Sequence, residues 1–449
     1  MKRGMHLSAC AKLAVAGLLL LAAAGVCRAA NILQTYYAPF PENDMQESLN
    51  VIDAFQGNIG NEVRTVVSMV AGTDGTVIYY DHWEDGYEDV VTSPTQATTQ
   101  VWGDGNSTNG IPPGYTTDVV NAGSIVNLED TIDVTRSAVL VEYDGKDKIS
   151  ATLPISLARA IYPLDPGEVI AEAGTALERS LWGTNYIAAV GWGAGSALYT
   201  NEVFEYTAFY IMAGYDYTYV EVDKDNDGIF ETTAYLDEGE VLFVNGGVVV
   251  GAKARGSRPF QCHLVTGDIY STYETRWFTQ WPVESWSSEY YAPVGSRDDA
   301  SVGVYYGAIV FFYNPHTNAI NVHCVTATST TIVSVAATNV STPFTMPQDA
   351  GAFFYTTNGQ SFFASEVFDT AVGLVGQLQD YDWGYSLLPA DALTTMGIVG
   401  WGPGEGVSDV GTNGSPAWVV PVSNTTLYVD YDGDPGTGPL TDPYGNKYD

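Results

Sequence analysis

The sequence predicts an all-β protein of tandem, repeated antiparallel sandwich-like modules, and three observations carry that expectation. Residues 71–89, AGTDGTVIYYDHWEDGYED, align without a gap on residues 213–231, AGYDYTYVEVDKDNDGIFE, so that Asp81, Asp85, Gly86 and Asp89 fall on Asp223, Asp227, Gly228 and Glu231. A shorter third copy, TTLYVDYDGD, puts Asp430 and Asp434 in the same places. Alternating segments such as TVIYYD, TYVEVD, EVLFVNG, TLYVDY and SAVLVEYD are bounded by Gly, Asp, Asn or Pro, the pattern of half-buried strands. Composition agrees, with 30 Tyr and 47 Gly in 449 residues and few runs of helix formers. A β-propeller of about seven blades is the alternative architecture.

Taken in order, residues 1–29 read as a secretory signal peptide. Lys2, Arg3 and Lys12 precede the apolar core LAVAGLLLLAAAGV, and small residues surround Ala29. Val26 stands where a lipoprotein signal wants a small residue before Cys27, which argues against a lipid anchor. No later apolar run reaches the roughly 18 residues that cross a bilayer. The mature chain divides into β-modules at 30–165, 166–285 and 286–388, and a partial fourth at 389–449. YYAP opens the first and third modules at 36–39 and 290–293, VGWG recurs at 190–193 and 399–402, and closing strands follow each hairpin region around Pro154, Pro259 and Ala364. The modestly helical stretches are NDMQESLNVIDAF and EVIAEAGTALERSLWG. Ending in mid-module, the chain is expected either to borrow its last strands or to be the front of a longer polypeptide.

Charge excludes some partners. The signal segment holds four of the 17 basic residues and none of the 53 acidic ones, so export leaves 13 basic residues and a net charge of −40. Nucleic acid and anionic lipid are unfavourable partners for such a surface, whereas extracellular calcium is favoured at its carboxylates. Cys262 and Cys324 are the cysteines of the mature chain. Their neighbours His263 and His323 suggest a zinc set, but adjacent strand residues point to opposite faces. Two separately buried thiols are the default reading, and a single disulfide is the alternative that an oxidising compartment allows.

The strongest chemical signal is Asp223-Lys224-Asp225-Asn226-Asp227-Gly228-Ile229-Phe230-Glu231. Calcium takes about six to eight oxygens, and a D-x-D-x-D-G loop turns at its Gly so that carboxylates and a main-chain carbonyl converge. The expected ligands are Asp223, Asp225, Asp227, the Ile229 carbonyl and Glu231. The bidentate Glu of an EF-hand would fall at Ala234, and both flanks read as strands, so the loop is instead of the kind set in β-hairpins. A solvated acidic turn is the alternative. The first copy has Trp83 in place of Asp225, which makes it a degenerate metal loop or a binding tip presenting Trp83. In the third copy Asp430, Asp432 and Asp434 alternate and offer a second calcium site.

Catalytic signatures are weak. His82, Glu84 and Asp85 lie close enough in sequence to suggest acid and base work, but the hairpin placement and the divergence of neighbouring strand residues argue against it. The segment YDGKDK at 143–148 reads as a charged turn, with a small-anion site as a minor alternative. Trp277, Trp281 and Trp286 are dense enough to form a sugar-stacking platform or to fill a junction between modules.

The words YYAPFPENDMQESL, TDGTVIYYDHWEDGYED, EYDGKDKISATLPI, FEYTAFYIMAGYDYTYVEVDKDNDG and WSSEYYAPVG resemble a family of large secreted bacterial surface proteins, over nearly the whole mature chain. The order of strand phrases is more distantly similar to the N-terminal region of IgG Fc-binding proteins. Neither resemblance supplies a catalytic residue. Together they imply adhesion or envelope structure rather than immunoglobulin binding. The expectation is a non-enzymatic, calcium-stabilised protein, exported or at the cell surface, whose partner is extracellular matrix, a glycan or a cell-surface protein. Two alternatives stand beside it: a secreted carbohydrate-binding or glycan-cleaving protein, and a self-assembling subunit completed by strand donation.

Overall fold

The computed structural model describes residues 33–52, 59–111, 116–137, 139–164, 172–194, 201–267, 269, 275–293, 308–347, 350–368, 383–399, 419–428, 440–441 and 447–448. The first strands are β1 (Gln34–Tyr37), β2 (Glu62–Ala71), β3 (Ile78–Asp81), β4 (Gln100–Trp102), β5 (Ile125–Asp133), β6 (Lys148–Ala151), β7 (Ile155–Pro163) and β8 (Glu172–Thr175). Next come β9 (Gly183–Ile187), β10 (Tyr206–Ala213), β11 (Thr218–Asp223), β12 (Thr232–Leu236), β13 (Val241–Val244), β14 (Lys253–Gly267) and β15 (Thr275–Thr279). A third group holds β16 (Glu289–Ala292), β17 (Ile309–Asn314), β18 (Ile320–Thr326), β19 (Thr330–Val335), β20 (Asn339–Val340), β21 (Phe344–Thr345), β22 (Ala352–Tyr355), β23 (Phe363–Phe368) and β24 (Trp383–Ser386). The protein is all-β, its sheets are antiparallel, and one α-helix is present among the described residues.

Neighbour order is the same in each group. One sheet runs β1-β6-β3-β4, and its counterparts run β9-β14-β11-β12 and β16-β22-β18-β19. The facing sheets run β5-β2-β7-β8, then β13-β10-β14-β15, then β20-β17-β23-β24. In the middle group β14 is continuous and serves both sheets, with a bulge between Arg255 and Phe260. Registers coincide as well. Ile78 lies opposite Ala151 and Asp81 opposite Lys148, as Val220 lies opposite Gly256 and Asp223 opposite Lys253.

Each pair of sheets closes on a shared apolar core. In the first, Tyr36, Tyr80, Trp102 and Ile149 from one sheet meet Val67, Met69, Leu128 and Leu157 from the other. In the second, Tyr186, Val222 and Ala254 meet Phe209, Ile211 and Leu264; in the third, Tyr290, Cys324 and Phe354 meet Val310, Phe312 and Ala364. Sheets enclosing a common core are sandwiches, and this geometry sets the propeller alternative aside. One tyrosine marks the same corner in all three. Tyr36, Tyr186 and Tyr290 donate their buried hydroxyls to the carbonyls of Ile155, Phe260 and Phe362 at 3.1, 2.6 and 2.7 Å.

Helix α1 (Glu42–Ile52) forms where the sequence predicts one. Met45, Leu49 and Ile52 recur at helical spacing on one buried face, and Glu42 and Asp44 occupy its first turn, where the helix dipole favours acids. That face packs with Val63 and Ile161 of the first sandwich and with Tyr206, Tyr210 and Trp277 of the second. Ser48 hydrogen-bonds both Tyr206 and Tyr210, tying the helix to β10. The second expected helix is not formed. Residues 172–175 are strand β8 and Arg179–Leu181 a single 3-10 turn, because β7 offers an open edge on which this segment pairs. No helix among the described residues is long and apolar enough to cross a membrane. Cys262 and Cys324 are free and buried in separate cores, as the reading of two separate thiols expects, and the disulfide alternative is set aside.

Candidate metal loop and a buried polar cluster

The loop after β11 turns as its sequence demands. Gly228 takes a positive φ of 91°, and Asn226 takes 59°. Asp223, fully buried at the strand end, accepts the amides of Asp227 and Gly228, both at 3.1 Å; Glu231 accepts the amide of Lys224 at 2.9 Å. Oxygens of Asp223, Asp225 and Glu231 converge within 4.8 Å of one another, a spacing that an ion could bridge. Asp227 is not part of that group. Its carboxylate caps the Ile229 amide at 2.7 Å, an Asx-type turn that the sequence reading had assigned to metal ligation. A cation of the protein's own stands nearby, Lys253 Nζ lying 3.5 Å from Asp223.

The other expected ligands divide in two. Asp430, Asp432 and Asp434 lie outside the described residues. Trp277, Trp281 and Trp286 are buried, which agrees with junction filling and leaves no exposed platform among these three rings. Trp277 donates to His263 and meets Phe40 edge to face, and Trp286 packs between Tyr313 and Phe363. Burial lowers His263 to about 3, so this imidazole is neutral and can accept the Trp277 N–H.

The first copy departs most from expectation. β3 ends at Asp81 and its partner β4 begins at Gln100, so residues 82–99 form a long loop rather than a tight hairpin turn. Gly86 keeps the positive φ of its counterpart, at 86°. Buried Glu88 accepts the amides of Thr95 and Gln96, both at 2.6 Å, and folds the loop on itself. Because His82 and Glu84 follow the strand, the rule that strand neighbours diverge does not apply to them. Both turn inward and meet the segment at 142–147.

There the charged turn and the DHWED segment make one enclosed cluster. Asp147, fully buried, accepts the Tyr80 hydroxyl at 2.6 Å and the Asp144 amide at 3.0 Å. His82 Nδ1 lies 2.8 Å from the Glu142 carbonyl oxygen and 3.5 Å from Asp147 Oδ2. Arg136 pairs with Glu142 and Asp144 and stands 3.5 Å from Glu84 Oε1. Trp83 is half-buried, donates its indole N–H to Asp144 at 2.9 Å, and carries the Lys146 ammonium 3.2 Å above its ring. It is therefore a wall of the cluster and not an exposed tip.

Electrostatics follow from the enclosure. Burial pushes the Glu84 carboxyl up to about 7, the Asp147 charge adding to it. Burial also raises Asp147, against hydrogen bonds from His82 and Tyr80. For His82 burial acts downward, but the Asp147 hydrogen bond and charge outweigh it and the net shift is upward. Such a group can hold protons or a cation near neutral pH. His82, Glu84 and Asp147 keep at most 4% of their side chains exposed, whereas Arg136 and Glu142 at the edge of the cluster keep 11% and 15%. Sequence reasoning missed the convergence of two segments some sixty residues apart. The available signal was the strand register, which sets Asp81 against Lys148 and so brings the ends of β3 and β6 together. Compared with protein-family models, curated proteins and solved structures, the chain matches none.

Proposed function

We propose that this protein is a non-enzymatic, exported array of related β-sandwich modules, stiffened by calcium at 223–231, that serves in adhesion or as part of a cell envelope. The carrying observation is the convergence of Asp223, Asp225 and Glu231 at the end of a sandwich whose strand order and register recur along the chain. Export is supported by the signal-like segment at 1–29, and an extracellular setting supplies the ion. A structural role is supported by the filled junctions. Helix α1 is shared between the first two sandwiches, and Ile309, Phe311 and Val367 join the core of the second.

Thermal unfolding with calcium and with chelator tests this reading. Calcium is expected to raise the midpoint by several degrees, following the linkage between ligand concentration and stability. Asp225→Ala, at an exposed position, is expected to remove most of that rise while leaving the chelated protein unchanged. A midpoint indifferent to calcium in the wild type would return the loop to a solvated acidic turn.

A further inference from the structure

We infer that the first sandwich carries a second, chemically different metal site, in which His82, Glu84 and Asp147 hold a divalent ion of the zinc class. Ligand atoms of the three residues lie within 4.8 Å of one another. Around zinc, ligands about 2.0–2.1 Å from the ion sit roughly 3.3 Å apart, so an ion would draw the group together by about an ångström. The donor set, one imidazole and two carboxylates, is borderline in softness and suits a first-row divalent ion. Calcium, an oxygen seeker, is not matched by it.

An independent observation points to a missing partner. Glu84 has a side chain with no exposed surface, yet its Oε2 accepts no hydrogen bond, although a buried carboxylate oxygen left bare is costly. The nearby cation does not answer it. Arg136 reaches only Oε1, at 3.5 Å, and is held chiefly by Glu142 and Asp144, so an incoming ion would compete with the weakest of its three contacts. Lys146 is engaged over Trp83. The charge balance is simple: the ion takes the place of protons that the cluster otherwise holds among His82, Glu84 and Asp147, and those protons pass to solvent. Bound there, it clamps the loop at 82–99 to the turn at 142–147. The site differs from the calcium loop in residues and in donor type, and each can fail without the other.

The test is titration of Zn2+ into the purified, chelator-stripped chain, followed by calorimetry in buffers of different ionisation enthalpy and by X-ray absorption at the zinc edge. We expect one equivalent to bind, with proton release and an absorption spectrum of mixed imidazole and oxygen ligation. His82→Ala and Glu84→Gln should each weaken binding by about tenfold or more, whereas Asp225→Ala should not change it. If the cluster variants fail to fold, the wild-type spectrum still decides. Sulfur ligation, absence of imidazole, no binding to the folded wild type, or affinity unchanged in a folded His82→Ala would each overturn the site.

Discussion

The loops that follow β3 and β11 leave strands of the same register, begin with a fully buried aspartate opposite a lysine, and share a glycine of positive φ, yet they have become opposite kinds of structure. After Asp223 the chain turns back at once and offers carboxylates to solvent. After Asp81 it runs inward, and its Glu84 is enclosed with His82, Asp147 and Arg136 beside Trp83, while Asp85 and Asp89 stay exposed. Register is set by core packing, which has little tolerance for slippage because a shift of one residue exposes the buried face. Loop content is under no such constraint. One substitution frames the contrast: an aspartate at position 225 faces water, while the tryptophan at the corresponding position 83 covers a charged interior.

The largest expected effect lies in the sealed loop. Arg136→Ala leaves Glu142, Asp144 and Glu84 facing one another with little solvent and no guanidinium, and breaking a buried ionic group from one side costs about 3–5 kcal/mol. Acid should relieve it. Burial already raises the Glu84 and Glu142 carboxyls and Arg136 holds them down, so without the cation they titrate higher still and the folded variant binds more protons than the unfolded chain through the mildly acidic range. The deficit is then full near pH 8 and shrinks as pH falls toward 4. Urea unfolding of wild type and variant at several pH values measures this. A loss under about 1 kcal/mol, independent of pH, would mean that the cluster is wetter than its geometry and the contrast between the loops smaller.

An intermediate effect sharpens what the sandwiches share. Tyr36→Phe, Tyr186→Phe and Tyr290→Phe each strip a hydroxyl from a buried carbonyl, and about 1–3 kcal/mol is expected in each case. Tyr186 and Tyr290 should cost more than Tyr36, because their hydroxyls also accept the amides of Gly183 and Ser287 at 3.0 and 3.1 Å. Denaturant midpoints of the three variants check the order. A cost confined to one of them would indicate that the common corner is a coincidence of geometry rather than a common support.

The strands were legible because alternation and β-branched residues register burial directly, as in Thr218–Asp223 with its alternating interior and half-exposed positions. Helix α1 was legible from the spacing of Met45, Leu49 and Ile52. The 172–175 segment was misread because helix propensity competes poorly with an open strand edge. Among site residues, Asp223, Asp225 and Glu231 were legible because a local loop brings them together without help from the rest of the fold. The His82, Glu84 and Asp147 cluster was not, since its assembly depends on β3 pairing with β6 across the intervening β4 and β5. Aromatic density at 277–286 carried no information on exposure. The same ring faces serve a sugar or a core, and the fold assigned them to the core.

The smallest effect concerns the open loop. Lys253 is partly exposed, with 41% of its side chain accessible, and its ammonium stands 3.5 Å from Asp223 Oδ2 while donating to Asn226 Oδ1 at 2.6 Å. A pair screened in this way is worth about 0–1 kcal/mol, so Lys253→Ala should barely move stability in chelator. Its effect on calcium should be opposite in sign. The ammonium occupies the positive position beside the buried carboxylate, and an arriving ion must displace it, so removing it should tighten calcium binding, by about fivefold if a full kilocalorie of competition is relieved. Calorimetric titration of calcium into both proteins measures the ratio. Weaker binding in Lys253→Ala would show that the lysine, through Asn226, holds the loop in the shape that the ion requires, and the open loop would then resemble the sealed one in depending on an internal cation.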